Sequence, residues 1–446
     1  MMKLALTSTL TLAAGLCFAQ DCPWDLKTTP NPGGELILWG IHGISSTDIW
    51  SVGRTYVYPG PGDGSYNYIA RWNGNEWTQI EAPQPSQLRD YQNLRDVLAI
   101  SEDDAIAVGT YNPASGSSLA QSMRWDGSDW ELMLSPVYSG GSGFNVIGRA
   151  GDDVWACGHK YSELPPPAAS TYPMAARLNG DEWEVIFVPP LAETGGRSYN
   201  YIRAIDGAHE DDAWAGGVAQ EVGTGFGPAA MMVKWDGSEW SQYDLTQTVK
   251  STAFSSISAI DVISSNDAWA AGYDYDISRQ VTIPLILHWD GNSWSNVPVP
   301  TFENSAELRG IAAVSSNEVY VAGTQPDANG YPHALIMRWD GSVWSVIPEH
   351  ELSDYSTWFR AMTAVDGVVW AAGQSNGLSD GITQRLVDCA GCPADLNNDG
   401  VLDFFDVSMF INAFSAQEPI ADFDGDGMFD FFDVSAYLNA FNAGCP

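Results

Sequence analysis

The residues best suited to chemistry lie near the end of the chain, where one twelve-residue acidic pattern is written twice at an offset of 27. The copies read DLNNDGVLDFFD and DFDGDGMFDFFD, and each runs into an apolar segment, VSMFINAF or VSAYLNAF. Loop positions 1, 3, 5, 9 and 12 are Asp395, Asn397, Asp399, Asp403 and Asp406 in the first copy. In the second they are Asp422, Asp424, Asp426, Asp430 and Asp433. Val401 and Met428 at position 7 would offer backbone carbonyls, and Gly400 and Gly427 stand at position 6. An all-oxygen ligand set with a glycine at the sharp turn suits a hard cation, so two calcium ions are the expected cofactors. Carboxylates this close repel one another unless a cation lies among them, which makes metal binding and folding of the tail one expected event. Composition alone would also permit an acidic disordered tail. Two loops in register, each leading into an amphipathic helical pattern, point instead to a folded module.

The tail resembles the dockerins, duplicated loop-plus-helix calcium modules of secreted bacterial proteins, and more closely the GC-type dockerin-like anchors. The likeness lies in Cys392-Pro393-Ala394-Asp395, the paired DFFDV and NAF segments, and the ending Gly444-Cys445. It covers residues 390–446 and implies a cohesin-like or other surface anchoring protein as partner. Dockerins often place small polar, partner-contacting residues at loop positions 10 and 11. Here those positions hold Phe404, Phe405, Phe431 and Phe432, which could form either a core shared by the two helices or a docking face.

The rest of the chain must carry this module. Residues 1–19 open with Lys3, continue through LALTSTLTLAAGL and end Cys17-Phe18-Ala19, the pattern of a cleavable secretory signal. The protein is therefore expected outside the cell, free or attached to its surface. No later stretch offers a membrane span. A formal charge of −37 argues against a nucleic-acid partner. In an exported chain disulfides are expected. Cys392 and Cys445 bracket the module, and Cys22 and Cys389 would form the other pair. Cys157 is left over and is read as a buried thiol.

Between Trp24 and Arg385 the chain repeats every 50 to 59 residues, with two signatures per repeat. One is a short strand ending in glycine: DIWSVG, DAIAVG, DVWACG, DAWAGG, DAWAAG, EVYVAG and VVWAAG. The other is a hairpin, as in RWNGNEW from Arg71 or HWDGNSW from His288, whose Asn-Gly or Asp-Gly suits a type I′ turn. With a further β-rich run upstream, each repeat reads as a four-stranded antiparallel blade. The last repeat lacks its final strand, and Trp24 to Pro30 matches that strand's spacing. The fold class expected is mainly β: a seven-bladed β-propeller over residues 20–389, closed by the N-terminal strand 22–30, with a small α-helical calcium-binding module after it. Of the 19 tryptophans all but two fall on repeat positions, so they are read as packing residues. The layout resembles kelch and galactose-oxidase-like propellers at the level of fold.

Catalysis leaves few marks. The six histidines lack metal-ligand spacing, and no G-x-S-x-G elbow is present. The repeated Arg71, Arg124, Arg177 and Arg338 are in register with the blades and read as structural ion pairs. With 56 acidic residues, a catalytic carboxylate pair can be neither picked out nor discarded. Insertions at 58–68, 161–172, 220–227 and 274–280, rich in tyrosine and glycine, follow the glycine-ended strands and should gather on one face, where a glycan or protein ligand would bind. The expected function is a secreted, calcium-anchored propeller presenting a binding surface. The alternatives are an anchored enzyme on extracellular polysaccharide and a structural surface-layer component.

Overall fold

In a computed structural model of the protein, the residues described are 24–57, 64–85, 91–113, 116–162, 170–190, 198–221, 227–246, 248–249, 254–327, 329–347, 356–375, 381–386, 394, 396, 404–423 and 428–443. The proposed signal and the four cysteines assigned to disulfides lie outside them. Two compact units emerge, Pro23–Asp388 and a second containing Cys389–Pro446.

The first unit is mainly β, and its described residues form 28 strands that run as consecutive four-stranded antiparallel meanders. Two pairs of meanders merge into eight-stranded sheets through single parallel pairings, Ser65 with Tyr91 and Ala150 with Gly207. Strand Trp24–Thr28 pairs antiparallel with Gly381–Leu386, so the start of the chain completes the sheet near the end of this unit. The arrangement is propeller-like.

Tryptophan packing shows what joins one meander to the next. Trp50, on a glycine-ended strand, meets the hairpin pair Trp125 and Trp130 of the following repeat at 5.3 and 5.2 Å between ring centroids. Trp155 does the same with Trp235 and Trp240, and Trp214 with Trp289 and Trp294. Trp370 of the last repeat packs on Trp72 and Trp77 of the first, at 5.2 and 5.8 Å. Edge-to-face contacts of this kind add to the large apolar burial of each indole. The hairpin basic residues pair with the acid that opens the neighbouring strand. Arg71 donates from Nε and Nη2 to the two Asp48 oxygens at 2.7 Å each, and its guanidinium carbon lies 4.7 Å from the Trp50 ring centroid. Arg124 with Asp104, Arg177 with Asp153 and Arg338 with Glu318 repeat the pairing, as does His288 with Asp267. Cys157 is a buried free thiol whose pKa burial pushes upward.

The second unit holds two helices of equal length, α1 (Phe404–Ala416) and α2 (Phe431–Ala443). Phe410 and Tyr437 occupy the same place in the two sequence copies and stack face to face, 4.0 Å apart and 2° from parallel. Leu396, Phe414, Phe423, Phe429 and Phe441 complete this core. The four phenylalanines at loop positions 10 and 11 stay out of it: Phe404 and Phe431 are 75% exposed, and Phe405 and Phe432 65%. Of the two roles open to them, the shared core is filled by other residues.

Candidate ligand-binding channel

The first strand of each meander walls a cavity of about 1240 Å³. Each of these strands carries a β-bulge at the same point, and the bulged residues are Trp39, Arg95, Asn145, Arg203, Ser258, Arg309 and Arg360. A bulge leaves one residue unpaired and re-aims its side chain, and all seven line the cavity. The bulges also account for the glycine-ended strands. A Cβ on Gly109 would lie 2.0 Å from the Asn93 carbonyl oxygen, and one on Gly217 1.9 Å from that of Tyr201. Glycine is thus the only residue that lets the bulged strand approach so closely.

Four bulged arginines, with Arg54 and Arg149, place six of the chain's 19 basic residues on this one surface. Trp39 lies between the residues contributed by the flanking repeats, with the guanidinium carbons of Arg95 and Arg360 at 4.2 and 4.0 Å from its ring centroid. Burial, then Arg54 and Arg203, lower the Arg95 pKa to about 10. Burial, then Arg309, Arg95 and Arg54, do the same to Arg360, with Glu307 opposing. Arg309 is paired with Glu307 at 2.7 Å, and Arg360 donates to Gln374 at 3.0 Å. By contrast the buried Nε atoms of Arg54, Arg95 and Arg360 have no hydrogen-bond partner among the described residues. Asn93 Oδ1, Ser258 Oγ and His159 Nδ1, on the same wall, are also buried and unpartnered.

The cavity's acids are occupied differently. Asp96 accepts from the backbone N–H groups of Val97 and Ile147, Asp206 from Val262, and Asp261 from Ala313. His42 Nδ1 accepts from Ala99 N–H at 3.2 Å, which requires the neutral ring. All four acceptors bond across to the next repeat: His42 to Ala99, Asp96 to Ile147, Asp206 to Val262 and Asp261 to Ala313. Burial raises Asp96 to about 7 and Asp261 to about 6, and burial with the nearby Asp261 raises Asp206 well above the usual carboxylate range. His42 and His159 are lowered to about 4, chiefly by burial and then by Arg149 and Arg95 respectively.

The arginine cluster escaped the sequence reading, which weighed only the hairpin arginines. The signal was present: the residue 13 or 14 positions before each strand-ending glycine is the bulged one. Of the proposed calcium ligands, the described residues include Asp406, Asp422, Met428, Asp430 and Asp433; Asp395, Asn397, Asp399, Val401, Asp403, Asp424 and Asp426 lie outside them. Asp406 and Asp433 are fully buried in the first turns of α1 and α2. Asp433 accepts from Phe423 N–H at 2.7 Å and from Asp430 N–H at 2.8 Å, which ties its loop to its helix. Burial and Asp406 push the Tyr437 phenol up to about 12, so carboxylate and phenol from opposite copies lie close together.

No family model and no curated protein matches the chain. Among solved structures it is similar to "YCF48 bound to D1 peptide", with 13% identity, 82% of this chain and 97% of that one covered, and a TM-score of 0.48. It is also similar to a catalytically inactive virginiamycin B lyase from Staphylococcus aureus with quinupristin, with 13% identity, 82% of this chain and 100% of that one covered, and a TM-score of 0.47. These likenesses concern the fold, and the propeller-like description stands on the strand pairing itself.

Proposed function

We propose that the chain is an exported binding protein: seven four-stranded blades in a closed ring take a ligand in the central channel, and a calcium-dependent, dockerin-like module attaches the ring to a cohesin-like or other anchoring protein at the cell surface. One observation carries the choice of binding over turnover. The channel's acids are engaged by backbone N–H groups, whereas several of its cations and neutral polar atoms have unpartnered edges. A surface of that kind holds a ligand without offering a free acid and base.

For the module, the donor set is entirely oxygen, and Asp406 and Asp433 at position 12 are buried in the helices' first turns, where a carboxylate is favoured by the helix dipole. Both features fit calcium. Bound calcium would supply the positive charge that lets these carboxylates sit together. Calorimetric titration of calcium into the whole chain should show two equivalents, abolished by Asp399→Ala combined with Asp426→Ala. No heat at roughly millimolar calcium, the weak end for extracellular loops, would remove the attachment half of the proposal.

The Asp206 and Asp261 pair supports a second reading, an anchored enzyme on polysaccharide, because neighbouring carboxyls of raised pKa can divide acid and base roles. Incubation with a panel of extracellular polysaccharides separates the two readings. Reducing ends released by the wild type and not by Asp206→Asn favour the enzyme; retention without release favours the binder.

A further inference from the structure

Resting on the binding reading, we infer that the channel is built for a polyhydroxylated acid, an acidic oligosaccharide carrying carboxylate groups, held by Arg54, Arg95 and Arg360 around Trp39. The first ground is charge. The chain has a net charge of −37, so its exterior repels polyanions, yet its channel gathers six arginines. Guanidinium groups that depress one another's pKa gain from an anion placed among them.

The second ground is the edge those arginines leave open. Nε and an adjacent Nη form the fork that grips a carboxylate through two parallel hydrogen bonds. Among the described residues the Nε atoms of Arg54, Arg95 and Arg360 are buried and unpartnered, and burying such a donor without a partner is unfavourable. An anion bound there relieves that cost at three positions.

The third ground identifies the rest of the ligand. Among the described residues Asn93 Oδ1 is a buried acceptor without a donor, and the Nδ1 of neutral His159 and the Ser258 hydroxyl are buried polar atoms without a partner. Cationic donors beside neutral hydroxyl partners suit a molecule with both carboxylates and hydroxyls. At about 1240 Å³ the channel exceeds the roughly 300–1,000 Å³ of a typical small-molecule site, which leaves room for several sugar rings. The faces of Trp39 are flanked by Arg95 and Arg360, so recognition works through the arginine edges and not through sugar stacking on that indole.

The test titrates a galacturonate hexamer, its methyl-esterified neutral counterpart and a glutamate hexapeptide into the full chain by calorimetry. Wild type is compared with Arg95→Gln, Arg360→Gln and Asn93→Ala, each checked for an unchanged melting transition. The expected result is that the acidic hexamer binds, that its ester binds at least about tenfold more weakly, and that each arginine variant loses about tenfold, the order of a charge-assisted hydrogen bond. Asn93→Ala should lower affinity for the saccharide. Equal affinity for acid and ester, or full affinity in both arginine variants, overturns the anionic site while leaving a neutral-ligand binder standing. Tighter binding of the peptide, unaffected by Asn93→Ala, overturns the saccharide class. Binding of none of the three overturns the inference, and the calcium titration of the full chain still judges the attachment module separately.

Discussion

The two units of this protein are both made by repetition, and they solve the problem of a small repeat in opposite ways. In the β unit a repeat of 50 to 59 residues cannot cover its own sheet faces, so it buries them on its neighbours, chiefly through tryptophans such as Trp50, Trp155 and Trp214. In the helical unit the repeat is 27 residues and each helix has 13, about the length at which an isolated helix is marginal in water. Its core is one stacked pair, Phe410 on Tyr437, with a few smaller contacts, and its loops concentrate negative charge. The larger repeat is stabilised by more protein. On the proposed calcium-binding reading, the shorter one would depend on a cation to neutralise its own carboxylates.

Calcium removal should separate the two most sharply. A chelator is expected to abolish the helical signal of α1 and α2 and the stacking of Tyr437, leaving the melting transition of the β unit in place. Far-UV circular dichroism with limited proteolysis checks this, and simultaneous loss of both units would show that they are not stabilised independently. Next in size, Trp214→Ala, which removes a buried indole from contact with Trp289 and Trp294, should cost about 3–5 kcal/mol in denaturant unfolding of the β unit. Gly217→Ala drives a Cβ into the Tyr201 carbonyl and should destabilise by at least about 1–3 kcal/mol, in the range of strained backbone positions. Survival of Gly217→Ala at wild-type stability would mean that the bulge relaxes easily.

Titration sharpens the comparison within the β unit. Folded Asp96 titrates near 7 against its ordinary 3.8, so the stability it lends is complete below about pH 4 and is lost as pH rises through about 7. His42 runs the other way: at about 4 against 6.5, its contribution is complete above about pH 6.5 and is lost as pH falls through about 4. Asp96→Asn should therefore flatten the fall in stability between about pH 4 and pH 7, and His42→Asn should flatten the fall between about pH 6.5 and pH 4, each read from urea midpoints. The smallest effect is expected at Phe404, three-quarters exposed, where Phe404→Ala should change stability by less than about 0.5 kcal/mol. A larger loss would return that ring to the module's core.

The hairpins and glycine-ended strands were legible because their chemistry is local. The hairpins fall where Asn73-Gly74 and Asp126-Gly127 stand, but the expected type I′ turn is not the one formed: four residues join Trp72 to Trp77 and Trp125 to Trp130, only Gly74 and Gly127 take positive φ, 94° and 95°, and the Asn73 and Asp126 side chains accept from the backbone N–H groups two and three residues on, an Asx turn. The hairpin arginines were legible as ion pairs because they recur in register with the blades, and each partner acid opens the glycine-ended strand 20 to 24 residues earlier, as Asp48 does before Arg71. The channel arginines were not. Arg95 and Arg203 stand in strands that read simply as β-rich, and what singles them out is a bulge produced by pairing with a strand further along the chain. The four phenylalanines of the tail were equally ambiguous, since the same side chain could fill a core or face water. The stacking of Phe410 on Tyr437 decided it.

By itself the sequence determined what depends on residue type and short spacing: a β repeat with its turns, two acidic loops with glycine at the bend, and a strongly negative chain. Only the tertiary structure decided which residues meet at the centre. Convergence of Trp39, Arg95, Arg203, Arg309 and Arg360 on one cavity arises from strands whose bulges lie about fifty residues apart in sequence and side by side in space. No local pattern records that, because each bulged side chain is placed by its own sheet and acquires its electrostatic meaning from the others.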